Sequence, residues 1–519
     1  MHSSFPNLGT VLKEKGKNIF DYFDFDPEVP PTPTKEVVFL QGTWYEMGFQ
    51  YGQQARDSLQ RRVAFFLQLD YTKAQSYDKI YEDMQKYVDY YNVYFPDFVD
   101  LLKGMADGAG MGFLDVVATH TIYTPLNDGC SHVSAWGNAT ADGNIYGGAN
   151  WDYEGNLRTY EPAVVAFPEN DHAFISASGI ATNAMINDAG VMVLSSGSQH
   201  RLPEDHSDIG FQYMVGFLYI SAKCGTAKEA LDALQNKGIA CNIGNNVHIV
   251  DANCDAFMLE HTMRKDVIRR AGDYGEQNYL LATNHFLAPE MQSSLYVGDE
   301  EWVDCKYRYD TEEQIIKDNY GNVTLDTINE ALGCTKTYID GEWIDEVWSM
   351  EVTGGVTRGA WSPENIAVMA KCVNRGLIDL HNRTLYIIAG CSNLLATERP
   401  YATGTASRLV LKDSPKAVLE NAKTHSQVNL FLAGKDLAKY KSPDKEKLEY
   451  LNEAKAALYA GHNYMNLADC CLNRDEKLQL YSLAISRYCY CQCIAQLAMD
   501  TPNIIVREAF GKDGWKELI

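Results

Sequence analysis

Positive charge is scarce in this chain: 45 Lys and Arg stand against 69 Asp and Glu, for a net charge of −24. That balance excludes a nucleic-acid binder, because a phosphate backbone needs clustered cations. Long apolar runs are lacking too, and none approaches the roughly 20 residues of a membrane span. The opening Met1-His2-Ser3-Ser4-Phe5-Pro6 has no basic stretch followed by an apolar one, so no secretory signal is read and a cytoplasmic protein is expected. Without export, reduced thiols are the default. The 13 cysteines are scattered, and no two Cys-x-x-Cys units stand at zinc spacing. Cys489-Tyr490-Cys491-Gln492-Cys493 steps by two, which points around different sides of a helix and reads as small core residues. Neither a metal nor a cofactor is called for. Without secretion, Asn138, Asn322 and Asn382 are chance matches to a glycosylation pattern. Internal repeats and long low-complexity tracts are absent.

What is present is ample apolar material, 46% of 519 residues, enough for a core larger than one ordinary domain. Pro30-Pro31-Thr32-Pro33 marks an extended arm. From Trp44 the apolar residues Met47, Tyr51, Ala55, Leu59 and Val63 recur near every fourth position, as a helix requires. Further helices are predicted over 77–93, 96–108 and 115–123. After Cys130 the period drops to two. Residues 131–136 alternate, Asp142-Gly143 supplies a hairpin turn, and 145–151 runs back. Strands are predicted over 163–167, 173–178, 184–186 and 191–195, and helices over 210–223 and from the Thr226 cap to Gly238. Strands resume at 247–251, 256–261 and 279–283. Residues 286–365 read as irregular apart from a helix over 325–332, and 366–373 with 384–389 as a last hairpin. From about Ser414 the pattern is helical again. Three units follow: a helical pro-segment over 1–129, a mixed domain over 130–410 and a helical extension over 411–519.

Cys130 stands at the change of period, behind Gly129. A catalytic cysteine needs a base or a lowered pKa, since the thiolate is the nucleophile. A free α-amino group, with a pKa of about 7.7–8.0, is a usable base at neutral pH. A cysteine released as the first residue of a strand would carry nucleophile and base together. Gly129 allows the strained backbone that attack on its own carbonyl would need.

Three groups of residues carry a resemblance. The first is Gly129-Cys130, with Ala135-Trp136-Gly137-x-Ala139-Thr140-x-Asp142-Gly143 and Gly147-x-x-Asn150-Trp151-Asp152. The second lies upstream, in Gly42-Thr43-Trp44-Tyr45-Glu46-Met47-Gly48-x-Gln50-x-Gly52 and Ala106-Asp107-Gly108-Ala109-Gly110. The third lies downstream, in Met185-Ile186-Asn187-Asp188-Ala189-Gly190-Val191 and Thr283-Asn284-His285. Over about 36–410 the chain resembles the N-terminal-nucleophile (Ntn) cysteine hydrolases of the isopenicillin N acyltransferase type. These are relatives of penicillin V acylase and the choloylglycine hydrolases. The resemblance implies an α+β fold, a four-layer αββα sandwich matured by cleavage between Gly129 and Cys130. It implies Cys130 as nucleophile, Asp152 holding the freed amino group, and Asn284 as oxyanion donor. It implies catalytic Arg408 too, from the Ser407-Arg408 pair.

Asn150, His132, Ser407 and Gly197 are expected as binding or supporting residues. His132 shares the Cys130 face by alternation. Two departures stand out. Ala149 replaces the arginine that precedes the asparagine in the bile salt enzymes. Their second oxyanion asparagine would fall near Ser196 or Gly197, where a backbone N–H or a hydroxyl would have to serve.

The expected activity is hydrolysis of a linear amide through an acyl-enzyme, on a small acyl amide or thioester substrate. The alternatives are acyl transfer to an amine, a non-catalytic Ntn-fold binding protein, and a conventional cysteine protease using His132 or His285. The expected partner is the chain's own N-terminal fragment after cleavage, and an oligomer is left open.

Overall fold

The computed structural model describes residues 5–7, 10, 34–68, 75–121, 130–154, 161–198, 209–236, 244–262, 265–294, 299–334, 336–344, 370–389 and 405–499. Gly129 lies outside the described residues.

Strand β1 (Val37–Gly42) leads into helices α1 (Trp44–Gln54), α2 (Arg56–Gln68), α3 (Tyr77–Tyr94), α4 (Pro96–Ala109) and α5 (Phe113–Ala118). Strands β2 (Ser131–Gly137), β3 (Gly143–Glu154), β4 (Ala163–Pro168), β5 (Phe174–Ser176), β6 (Ala184–Asn187) and β7 (Val191–Gly197) follow. Helices α6 (Tyr213–Lys223) and α7 (Ala227–Asn236) precede β8 (Asn245–Asp251), β9 (Ala256–Thr262), β10 (Lys265–Arg269) and β11 (Tyr279–Ala282). Next come α8 (Asp299–Asp318), α9 (Leu325–Gly333) and a small hairpin of β12 (Thr337–Ile339) and β13 (Glu342–Ile344). The described chain ends with β14 (Ala370–Asp379), β15 (Thr384–Ala389), β16 (Ser407–Val410), α10 (Pro415–Leu437), α11 (Lys445–Cys470) and α12 (Arg474–Leu497). Among the described residues no helix is long and apolar enough to cross a membrane.

Two large sheets form, in the orders β1-β4-β5-β6-β7-β8-β9-β10 and β11-β2-β3-β14-β15-β16. Period-two patterning sorts their side chains into layers. Val38 and Leu40 pack outward with the helices α1, α4 and α6. Their neighbours Val37 and Phe39 pack inward, in a cluster with Ile145, Leu280 and Ile387 of the second sheet. On the far side, Val133, Ala135 and Leu281 pack against Ile315 and Ile316 of α8 and Ile328 of α9. The result is the expected α+β sandwich of helix, sheet, sheet and helix.

The upstream glycines have a packing reason. A Cβ on Gly48 would lie 2.0 Å from the Leu101 carbonyl oxygen, and one on Gly104 2.1 Å from that of Tyr45. Helices α1 and α4 therefore touch backbone to backbone.

Several elements differ from the sequence expectation, three of them at length. The segment before Cys130 is not only helical: β1 joins the eight-stranded sheet, parallel to β4, with Val37 opposite Ala163. A 20-residue helix, α8, occupies ground read as irregular. The strand expected over 366–373 runs instead over Ala370–Asp379, and its first four expected positions lie outside the described residues.

The C-terminal helices close one side of the sandwich. Ser482 and Ser486 of α12 accept from the backbone N–H groups of Phe39 and Val37 at 2.8 and 2.9 Å. Gln492 and Gln496 accept from those of Arg408 and Ala406 at 2.8 and 2.9 Å. Four residues of helix rise about 6 Å and two of strand about 6.7 Å, so i, i+4 side chains match alternate strand positions. One helix thus covers both edge strands, β1 and β16. Cys489, Cys491 and Cys493 are buried in this helix, as small core residues.

Candidate active site

Cys130 stands at the start of β2, 5% exposed. In the β2–β3 ladder Ser131 pairs with Asn150 and His132 with Ala149. Two residues beyond Asn150, Asp152 therefore stands level with the amino side of Cys130, and it is fully buried. Alternation sends Ser131, Asn150 and Asp152 towards the helices α8 and α9, and Cys130 and His132 to the inner face.

Asn150 is held on both polar ends. Its Nδ2 donates to the Leu332 carbonyl at 2.8 Å, and its Oδ1 accepts from Arg375 Nε at 2.8 Å. Arg375 is its ladder partner on β14 and also donates to Leu332 O at 2.8 Å. This ties β3, β14 and α9 together around Asn150.

Asn284 and Gly197 come together. Asn284 Nδ2 donates to the Gly197 carbonyl at 2.6 Å, while its Oδ1 accepts from Arg308 Nη2 at 2.8 Å. A carbonyl only accepts and a guanidinium only donates, so these two partners fix which way the amide points. The turn that carries Asn284 is fastened as well. The Thr283 carbonyl accepts from Ser196 Oγ and from Asn246 Nδ2, the latter at 3.0 Å, and the His285 carbonyl accepts from Asn246 Nδ2 at 3.1 Å. The Ser196 hydroxyl is thus engaged with backbone.

Helix α8 supplies two groups that were missed in the sequence. Arg308, fully buried, donates through Nη1 to the Cys130 carbonyl at 2.9 Å and to Ser131 Oγ at 3.2 Å. One side chain thereby joins the start of β2 to Asn284. One turn on, Glu312 is also fully buried, and neither of its carboxyl oxygens has a hydrogen-bond partner among the described residues. Burial pushes its carboxyl up to about 8, and the Asp152 charge adds to that. The Ser131 hydroxyl and the charges of Arg308 and Arg375 oppose it.

The histidines are placed differently. His132 lies between the sheets, its ring centroid 5.2 Å from that of His248. Burial pulls its pKa down to about 3, helped by the Arg269 charge and opposed by the Ser195 carbonyl. His285 packs on Tyr309 and is pulled to about 3 by burial and the charges of Arg308, Arg269 and Lys306. Imidazoles this weakly basic are poor proton acceptors at neutral pH, which argues against the Cys-His protease alternative.

Ser407 and Arg408 are not brought to Cys130. Arg408 lies on β16, four strand spacings of about 4.8 Å from β2. Its Nη1 donates to Asn421 on α10 at 3.1 Å, and Ser407 Oγ shares a hydrogen with Thr34 at 2.7 Å. The catalytic role expected for Arg408 is corrected on this ground: its side chain is engaged with the C-terminal helices. Arg308 is the guanidinium at Cys130.

Residues 139–332 match the model of one family, acyl-coenzyme A:6-aminopenicillanic acid acyl-transferase. Over that stretch the chain is similar to that family. The matched stretch holds Asn150, Asp152, Gly197, Asn284, Arg308 and Glu312, and starts after Cys130. No curated protein matches the chain. A solved penicillin V acylase from Agrobacterium tumefaciens is 12% identical, with 55% of this chain and 87% of that one covered at a TM-score of 0.33. A mutant conjugated bile acid hydrolase from Clostridium perfringens is 12% identical, with 55% and 97% covered at a TM-score of 0.27.

Proposed function

We propose that this protein is a self-cleaving cysteine amidohydrolase that breaks a linear, non-peptide amide C–N bond. The observation that supports this reading is that Arg308 bonds both the Cys130 carbonyl and Asn284, while the ladder sets Asp152 level with the amino side of Cys130. Maturation releases the Cys130 amino group. That group takes the thiol proton, Cys130 attacks the amide carbonyl, the leaving nitrogen takes the proton back from the α-ammonium and departs as an amine, and water then hydrolyses the acyl-enzyme to the carboxylic acid and the free thiol. Asp152, level with the amino side of Cys130, holds the amine. Asn284 Nδ2 has a second N–H besides the one used on Gly197, and that N–H meets the oxyanion. No cofactor enters the scheme.

The fragment ahead of Cys130 stays with the rest after cleavage. Its β1 lies in the eight-stranded sheet, and its Arg62 forms a buried ion pair with Glu161 beyond the cut. Acyl transfer to an amine is the second reading, favoured by the name of the matched family. A non-catalytic role is disfavoured by the intact Cys130, Asp152 and Asn284.

The test is amide turnover on a panel of N-acyl amino acids, penicillins and short peptides, with and without an added amine acceptor. Cys130→Ala and Asp152→Ala should both abolish it. Turnover retained in both variants would contradict the assignment.

A further inference from the structure

Three neighbouring strands of the eight-stranded sheet meet the Asn284 turn. Their ladders set Ser196 on β7 opposite Asn246 on β8, and Asn246 opposite Glu260 on β9. Leu194, Val250 and Met258 pack in the cluster between the sheets. Even steps from them place Ser196, Asn246 and Glu260 on that same inner face. This polar row reaches the turn that follows β11 in the other sheet. Ser196 Oγ and Asn246 Nδ2 hold the Thr283 carbonyl, and Asn246 Nδ2 holds the His285 carbonyl at 3.1 Å. Glu260 takes the far side of the turn. The Leu287 N–H donates to its Oε1 and the Ala288 N–H to its Oε2, each at 2.9 Å. Only a carboxylate can take both, because the amide of a glutamine would turn its own N–H groups towards one of them. Glu260 is fully buried, and a buried carboxylate needs a counter-charge. Arg269 supplies it, with Nε 3.3 Å from Glu260 Oε1 and Nη2 donating to the Leu281 carbonyl at 2.8 Å.

We propose that Glu260 is a positioning residue for Asn284, holding from the opposite sheet the turn whose side-chain N–H meets the oxyanion. This rests on the amide-hydrolysis reading above. Gly197 and Arg308 set the direction of the Asn284 amide, at 2.6 and 2.8 Å. The backbone beneath that amide is set by the polar row, with Asn246 before and Glu260 after the buried Phe286. Bonds from backbone N–H to a charged acceptor are the stronger kind, so Glu260 is the firmer of the two holds. In Glu260→Gln one backbone N–H loses its acceptor, and the turn moves to relieve it. A misplacement of about 1 Å can cost about 100-fold in rate. The loss falls on kcat, because the oxyanion exists only in the transition state.

The test uses the purified full chain, with p-nitrophenyl acetate as the acyl donor and Cys130→Ala as the blank. Glu260→Gln should lower kcat by about tenfold or more, with KM within about twofold of wild type. Asn246→Ser, which frees the same turn at its other end, should show the same split and serves if Glu260→Gln does not fold. Glu260→Asp, which keeps the carboxylate, should fall between Glu260→Gln and wild type. In an Asn284→Ala background, Glu260→Gln should change kcat by less than about twofold, because the group it aims is gone. Alkylation of Cys130 by iodoacetamide forms no oxyanion and should keep its wild-type rate in Glu260→Gln. Slower alkylation there, or the same fold-loss with and without Asn284, would make Glu260 a structural residue and overturn the assignment. A wild type no faster than the blank, or Asn284→Ala equal to wild type, would overturn the reading above and this inference with it. A slow Asn284→Ala beside Glu260→Gln and Asn246→Ser at the wild-type rate would overturn the Glu260 role alone.

Discussion

Arg308 and Asn284 share a hydrogen bond of 2.8 Å, and through it one buried cation sets the direction of an amide. The same guanidinium holds the Cys130 carbonyl at 2.9 Å. Cys130 and Asn284 are therefore fixed to a common part, which is what preorganisation would require of the proposed nucleophile and oxyanion donor.

Loss of the Asn284 donor should be felt in the transition state. Asn284→Ala is expected to lower kcat by about 10²–10³ with little change in KM. Arg308→Lys keeps the charge but cannot span both partners, and should lower kcat by about tenfold or more. Combined, the two should cost less than the product of their separate effects, because they act through one hydrogen bond. Steady-state kinetics on the matured enzyme measure all three.

Acid should destabilise the fold through its buried imidazoles. His132 and His285 have folded pKa values of about 3, below the unfolded value of about 6.5. Between those values the unfolded chain binds the extra protons. Stability is thus full above pH 6.5 and falls as pH drops towards 3. At pH 5 each imidazole should subtract about 2 kcal/mol. Urea unfolding at pH 7 and pH 5 gives the loss, and His132→Gln should reduce it.

The contact between α1 and α4 should tolerate no side chain. Gly48→Val places a Cβ where the Leu101 carbonyl oxygen lies 2.0 Å away, and forces the helices apart. The expected cost is about 3 kcal/mol or more. Thermal unfolding checks it, with Gly434→Ala, whose Cβ meets nothing within 4 Å, as the neutral comparison.

Helix α12 should be needed for solubility. Ser482→Ala with Ser486→Ala leaves the Phe39 and Val37 N–H groups without their acceptors, at about 1–3 kcal/mol each. Removing residues 474–519 uncovers two sheet edges and should give aggregation, seen by light scattering.

Much of this was legible in period and turn chemistry. The β2–β3 hairpin followed from Asp142-Gly143, and β15 matched its expected span of 384–389. Helix α8 was not legible, because its inward face carries Arg308, Thr311 and Glu312, all fully buried. Charged and polar residues on the core side erase the apolar stripe that marks a helix. The site residues it delivers were hidden for the same reason. Strand β1 was passed over, and its parallel partner lies far along the chain, beyond Cys130. Arg408 looked catalytic from a two-residue motif, and only the strand order shows it four strands away.

The intact mass of the purified full chain, with sequencing of its new amino terminus, is the measurement closest to the central claim. The expected result is two chains, residues 1–129 and residues 130–519, that co-elute on gel filtration, the larger beginning at Cys130. Cys130→Ala should give one uncut chain. A single uncut wild-type chain, or a cut placed elsewhere and retained in Cys130→Ala, would contradict it.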